Sequence, residues 1–525
     1  MKKSVKTVLS LALCALLLLG TCSSALAAKE KTAFIVVSGM GSFPLYDEAG
    51  VQVFPPSSDV ILPMVTELLP PVTAYLFDKN ADKLCDGIVP ALTKAFGKAA
   101  CDENGDTVYG ISTPLFDGPL NDKLDYFAGE TTDEAGIVNA GIEKYGVENT
   151  FFFNYDWRLS PLDHADRLNA LIKYAKENTG CTRIALAAFS MGGTVVLSYL
   201  YKYGSADVDS ISLCSTAFQG TSSVGDLFSG KVGMSMEGLI RRLAQLTRND
   251  FAENLIYYLN EKLNLFGVNK GLSDFANDLV LDTQSRIYPE FILPVFGQLP
   301  GFWAICDTGS YETARDFMLD NEKHAGLIAK TDEYYYNVQL KAEELLTAAN
   351  EDTNVYIIAQ YNMQGLPVSE TSNTSNNDYL IDVCYASGGA TAAPLGETLP
   401  EDYVQTEHPE KDYISPDRQI DASTCMFPDR TWFIRDMGHV DYPIGDSTDM
   451  ILAFADSTVQ LTVDSLPEYP QFMKYSYADN TLTPVEENMK KTFAQSFFGV
   501  LIEFTKRIEA FFENLFVMPI KDISC

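Results

Sequence analysis

The chain has 525 residues, 46% of them apolar and 12% aromatic, which excludes a disordered protein and allows one large enzyme-sized domain or two modest ones. Its 71 acidic against 38 basic residues leave a formal net charge of -33. A surface of that sign repels phosphate backbones and excludes nucleic acid as a partner.

Residues 1–27 read as a secretory leader: Lys2, Lys3 and Lys6, an apolar run from Val8 to Leu19, then Ala25-Leu26-Ala27 as a small-residue cleavage site. The run is shorter than the roughly 20 residues that span a bilayer, and "LGTC" fits a lipoprotein box poorly because threonine precedes Cys22. The expected location is therefore secreted or at the cell-envelope exterior, where disulfides persist. Ten cysteines are present, of which Cys14 and Cys22 leave with the leader. Cys85 and Cys101 bracket a short loop-and-helix segment and are expected to pair, whereas Cys181, Cys214 and Cys384 lie in apolar runs and read as buried thiols.

A domain over 28–455 follows. "KTAFIVVSGMGSF", "NTFFFNYDW", "TRIALAAF", "DSISLCST", "TNVYIIAQYN" and "TWFIRDM" are short runs rich in β-branched or aromatic residues, most of them separated by helical patterns such as "ADRLNALIKYAKEN". Strands alternating with helices predict an α/β fold with a mostly parallel sheet covered on both faces. Two insertions, 55–110 and 222–345, interrupt the rhythm with proline-broken or helical apolar segments and read as cap or lid elements. Residues 456–488, "VDSLPEYPQFMKYSYADN" among them, read as a linker. Residues 489–525 form an amphipathic segment in which Phe493, Phe497, Val500, Leu501, Phe504, Ile508, Phe511, Phe512 and Leu515 share one wide face. That face suits either a lipid interface or packing against the domain or a partner subunit.

The chemistry centres on Ala188-Phe189-Ser190-Met191-Gly192, which lies between a buried strand and "GTVVLSYLY". This is the context of a nucleophile elbow, where a tight strand-to-helix turn lifts a serine Oγ above the sheet and small flanking residues let the turn close. A serine needs a base, and there are four histidines. His164 in "PLDHADR" precedes the serine and reads as solvated; His324 in "DNEKHAGL" reads as an exposed helical residue; His408 in "QTEHPEKD" lies in a charged loop. His439 in "FIRDMGHVDYP" follows a strand and a glycine and is the expected base. Between serine and base, "NNDYLIDV" offers Asp378 and Asp382 as the orienting acid; Asp378 is preferred because it meets the loop first, and Asp382 stays open. Asp436 and Asp441 flank the histidine and read as structural. Oxyanion donors are expected from the N–H of Met191 and of Met40 in "SGMGS".

These motifs, with "GMGSFPLYDEAG", "NYDWRLSP", "TAFQGTSSVGDLFSG", "LPGFW" and "GHVDYP", span about residues 33 to 445. Together they make the chain resemble a bacterial member of the lecithin:cholesterol acyltransferase-like family of α/β-hydrolases, which includes lysosomal phospholipase A2 and phospholipid:diacylglycerol acyltransferases. The Tyr155-Asp156-Trp157-Arg158 run is the most specific part of the match. The resemblance implies the triad Ser190, Asp378 and His439, the oxyanion donors Met40 and Met191, a lipid-contacting subdomain in the first insertion and a mobile lid in the second. The chain departs from the family pattern at Ala188, where the elbow has its first glycine, at Ser38, where proline is usual, and at Tyr379, where glycine is common.

The expected activity is that of a serine esterase acting on acyl-lipid esters, phospholipids first, at a lipid surface and with no metal or organic cofactor. Two rivals stand beside it: an acyltransferase that passes the acyl group to an alcohol, and a catalytically idle surface-binding protein with the same fold.

Overall fold

The computed structural model describes residues 31–128, 134–439 and 441–487. The leader and the amphipathic C-terminal segment lie outside the described residues. Eight strands form one sheet: β1 (Thr32–Val37), β2 (Thr150–Phe153), β3 (Arg183–Phe189), β4 (Ser210–Cys214), β5 (Asn354–Tyr361), β6 (Thr431–Arg435), β7 (Phe472–Ser476) and β8 (Thr481–Pro484). Their spatial order is β8-β7-β6-β5-β4-β3-β1-β2. Every neighbouring pair is parallel except β7 and β8. The six runs read as strands in the sequence are β1 to β6, and the molecule is a mixed α/β protein with a mostly parallel sheet.

Side chains alternate across the pleat. On β1, Ala33, Ile35 and Val37 join the core on one face, where Leu168, Leu171 and Ile172 of the helix Pro161–Asn178 pack. Phe34 and Val36 join the other, with Met450, Ile451 and Phe454 of the helix Asp446–Asp456. Both faces are covered, which is why these strands are continuously apolar rather than alternating. Ser160 caps Pro161–Asn178 by accepting from Leu162 N–H, and Pro161 occupies the first turn, where its missing N–H costs nothing.

Within the stretch read as a linker, residues 472–476 and 481–484 join the sheet. β7 extends β6 in parallel through Phe433↔Phe472, and a turn with Asn480 at φ 58° returns the chain as antiparallel β8. Pro467 and Pro470 stand just upstream. An edge hairpin of four and five residues, only partly apolar, leaves too short a pattern to stand out against them.

Both insertions are helical. The first carries α1 (Ser58–Asp78) and α2 (Ala81–Phe96); the second carries α3 (Met236–Leu246), α4 (Asp250–Leu265) and α5 (Val268–Ile287). They meet each other: Tyr75 of α1 hydrogen-bonds Asp282 of α5, and Arg286 pairs with Asp86 at 2.8 Å. Cys85 sits at this junction with Val89, Phe291 and Val295, whereas Cys101 belongs to the main core. The two thiols are therefore claimed by different cores, and the expected Cys85–Cys101 disulfide is absent; all seven described cysteines are free. Burial pushes the Cys101 thiol up to about 12 and raises Cys85 as well. Among the described residues, α1 is the one helix long and apolar enough, by length and composition, to cross a membrane, yet little of it is buried.

The Tyr155–Arg158 run joins these parts. The Tyr155 hydroxyl donates to Ser38 O at 3.1 Å, and the Trp157 ring lies between Phe54 and Phe302. Arg158, fully buried, forks onto Asp156 at 2.9 and 2.6 Å and reaches Ala99 O in the first insertion. Its own carbonyl accepts from Gly301 N–H in the second. Removing one partner of such a pair strands the other charge, so Arg158→Ala is expected to cost about 3–5 kcal/mol of folding free energy. Denaturant unfolding measures it; a loss below about 1 kcal/mol would place the run's role elsewhere.

Candidate functional site

The chain lays β1 down first, adds β2 on one side and then crosses to put β3 on the other. The loops leaving β1 and β3 thus diverge to opposite sides at adjacent strand ends, the position where open parallel sheets form a crevice. Ser190 follows β3 directly and Gly39-Met40 follows β1. Ser190 has φ 52°, a left-handed conformation uncommon for a residue with a side chain. Three backbone bonds hold it there: its N–H donates to Cys214 O at 3.4 Å, and its carbonyl accepts from Ala217 and Gly193 at 3.0 and 3.3 Å. The turn closes only because Gly192 has no side chain, since a Cβ there would stand 2.6 Å from Val37 O and 2.7 Å from Ser38 O.

Two long-range contacts complete a chain of side chains. Ser190 Oγ lies 2.8 Å from His439 Nε2, 249 residues away, and His439 Nδ1 lies 2.7 Å from Asp378 Oδ2. His439 is 5% exposed and Asp378 is wholly buried. The other oxygen of Asp378 accepts from the backbone N–H of Leu380 and Ile381 at 3.0 and 2.7 Å, which aims Oδ2 at the imidazole. With Nδ1–H donating to Asp378, Nε2 is left to accept from the serine. Such an array can take the Ser190 proton onto Nε2 as Oγ attacks an electrophile.

Asp382, four residues on, faces another way. It accepts from Ser222 N–H and Oγ–H at 2.9 and 2.7 Å and from the Ser375 hydroxyl at 2.5 Å, tying the loop to the base of the second insertion. Of the two acids left open by the sequence, Asp378 is the one brought to His439.

Met191 follows the serine in the turn, and Gly39, next to Met40, lies against it. A side chain at Gly39 would meet Ser190 Cβ at 2.9 Å and Oγ at 3.5 Å, so the Gly39–Met40 backbone lies against the serine. Among the described residues, neither the Met40 nor the Met191 N–H has a protein acceptor. Glu134, which the sequence reading missed, braces this loop: its Oε1 accepts from Gly39 N–H at 2.8 Å and from the Ser42 hydroxyl at 2.7 Å. Its partners lie more than 90 residues away, so no local pattern marks it.

Two histidine readings are overturned. His164 is not solvated: it is 5% exposed, packs against the Tyr155 ring and holds Asp156 O at 2.8 Å through Nε2. His324 is not exposed: it is 2% exposed, and its Nδ1 accepts from Asp320 N–H at 2.9 Å. Both sit on polar-looking segments whose inward face only packing reveals. His408 stays in its charged loop, 3.1 Å from Glu410. Asp441 pairs with Arg248 and accepts from the Tyr477 hydroxyl, and Asp436 accepts from Asn362 Nδ2. Among the described residues no group of three or more His, Cys, Asp or Glu side chains could hold a metal ion.

Burial depresses the pKa of His164 and of His324 below 6.5. As pH falls below 6.5 the unfolded chain takes up protons that the folded chain refuses, so stability is lost from about 6.5 down to the folded-state values. The thermal midpoint should therefore drop between pH 7 and 5. His164→Gln, whose amide can still donate to Asp156 O, should flatten that slope; an unchanged slope would remove His164 as a cause.

No family model matches the chain, and no curated protein matches it. Among solved structures it is similar to the crystal structure of the Tle4-Tli4 complex, at 11% identity and a TM-score of 0.29 over 82% of this chain and 98% of that one, a likeness too slight to bear on function.

Proposed function

We propose that the protein is a serine esterase of α/β-hydrolase fold, allied to the lecithin:cholesterol acyltransferase-like family, that cleaves acyl-lipid esters through an acyl-enzyme on Ser190. The observation that carries this reading is the continuous chain Ser190 Oγ, His439 Nε2, His439 Nδ1, Asp378 Oδ2, with links of 2.8 and 2.7 Å, standing on a left-handed serine at a parallel-sheet crevice. Oγ attacks the ester carbonyl as its proton passes to Nε2. Asp378 stabilises the imidazolium, and the Met40 and Met191 N–H groups receive the developing oxyanion. His439 then protonates the departing alcohol, and water, deprotonated by the same imidazole, releases the acid and restores Ser190.

Lipid is the substrate class that suits the surface. Phe77 at the end of α1 is 86% exposed and Phe266 after α4 is 77% exposed, with Leu62, Leu69, Leu265 and Leu281 also bare on the two insertions. Apolar side chains so placed fit an interface rather than bulk water. With a net charge of -33, the interface it meets most readily is zwitterionic or uncharged. The leader expected from residues 1–27 accords with such an enzyme working outside the cell.

A fluorophosphonate probe tests the chemistry: it should label Ser190, and an unlabelled serine would leave an idle surface-binding fold. Product analysis on phosphatidylcholine vesicles, with and without an alcohol acceptor, tests the outcome. Free fatty acid in both cases is expected; acyl ester of the acceptor as main product would make the protein a transferase.

A further inference from the structure

Tyr379, next to Asp378, has φ 95°, a backbone state that bulky residues avoid and that persists only where the surroundings enforce it. Its ring is buried and lies against Gly438, the neighbour of His439: a Cβ on Gly438 would stand 2.7 Å from the ring. The guanidinium of Arg242, on α3 of the second insertion, sits 5.0 Å from the ring centroid. The same guanidinium donates through Nη1 to Tyr379 O at 2.7 Å and Gln364 O at 3.0 Å. One helical turn on, Gln245 accepts from Gln364 N–H at 2.7 Å and donates to Asn362 O at 3.2 Å. Just beyond the helix, Arg248 pairs with Asp441, two residues past His439, and lies over the Tyr477 ring, whose hydroxyl accepts from Gly438 N–H at 3.0 Å. The helix and the residue just past its end thus grip both loops, Arg242 and Gln245 the one carrying Asp378 and Arg248 the one carrying His439.

We propose that Arg242, acting through Tyr379, is a positioning residue: it locks α3 to the acid and histidine loops and so sets the Asp378–His439 distance from the second insertion. This deepens the esterase reading and rests on it. Tyr379 works as a strut. Its ring fills the space beside Gly438, and its strained backbone is held by the fork of Arg242, so the loop cannot relax to an ordinary φ without releasing the histidine loop. The part of the insertion nearest the triad is then an anchor, and a ligand that displaces α3 misaligns Asp378 and His439.

The test combines kinetics on a short soluble ester with proton NMR of the His439 Nδ1–H, which in a buried imidazole–carboxyl pair resonates far downfield. Arg242→Gln should lower kcat by about tenfold or more with KM nearly unchanged, since a small misplacement of catalytic groups costs rate rather than binding, and should broaden or shift the downfield signal. Arg242→Lys, which keeps the charge and one donor, should recover part of both. Arg241→Gln, which removes only a 3.3 Å surface pair with Glu237, should change neither. If Arg242→Gln does not fold, Tyr379→Gly carries the test, because glycine accepts the φ but loses the strut: its kcat and signal should fall in the same way. A downfield signal and kcat that survive Arg242→Gln, or survive Tyr379→Gly where that variant stands in, overturn the clamp alone. A wild-type protein without the signal and without turnover overturns the triad reading and the clamp with it.

Discussion

Ser190→Ala and His439→Ala are each expected to lower ester turnover by more than about 10³-fold while leaving the protein folded, and the double variant should be little worse than either single one. The reason is that nucleophile and base act as one unit. Without Oγ there is no acyl-enzyme to form, and without Nε2 at 2.8 Å the hydroxyl keeps its proton. Neither substitution should disturb the core. Alanine at 190 keeps the backbone bonds to Cys214, Ala217 and Gly193 that hold the turn. Steady-state kinetics with circular dichroism as a folding control decides the matter. A loss below about tenfold in either variant would remove that residue from the reaction.

The second large effect separates two aspartates four residues apart. Asp378→Asn should cut kcat by roughly 10³–10⁴-fold with little loss of stability. Leu380 and Ile381 both donate to one oxygen of Asp378, so an asparagine would keep its carbonyl oxygen there and turn its NH₂ toward His439. A donor facing Nδ1 selects the tautomer with the proton on Nε2, which can no longer accept from Ser190. Asp382→Asn should do the reverse. Its Oδ2 accepts a backbone N–H and its Oδ1 two serine hydroxyls, so an asparagine would turn its NH₂ toward Ser222 and Ser375, whose hydroxyls must then accept instead of donating to a charged oxygen; stability should fall by about 1–3 kcal/mol with kcat held within about tenfold. Burial pushes the Asp382 carboxyl above the usual range while those serine bonds pull it back down, as for a buried acid whose role is to hold a loop. Kinetics and denaturant unfolding on both variants tell them apart, and a larger kcat loss at 382 would exchange their roles.

The six parallel strands, the helical character between them and the Ser190 turn are all legible in the amino-acid order. These signals are local: β-branched runs make strands, a glycine pair after a buried strand makes a sharp turn, and both depend on neighbours within a few residues. Chain order was also enough to place His439 after the serine and past a strand. Packing governs whatever depends on distant partners. It chose Asp378 over Asp382, because both lie on one loop and only packing shows which carboxyl meets the imidazole 61 residues away. It buried His164 and His324, whose polar surroundings in the sequence hide an inward face. It parted Cys85 from Cys101 by assigning them to separate cores, and it drew β7 and β8 from a stretch read as a linker, since a short edge hairpin is stabilised by the strand beside it more than by its own pattern. Glu134 and Arg242 were invisible for the same reason: each braces a loop far away in sequence, and a buried polar side chain shows its purpose only through the groups that satisfy it.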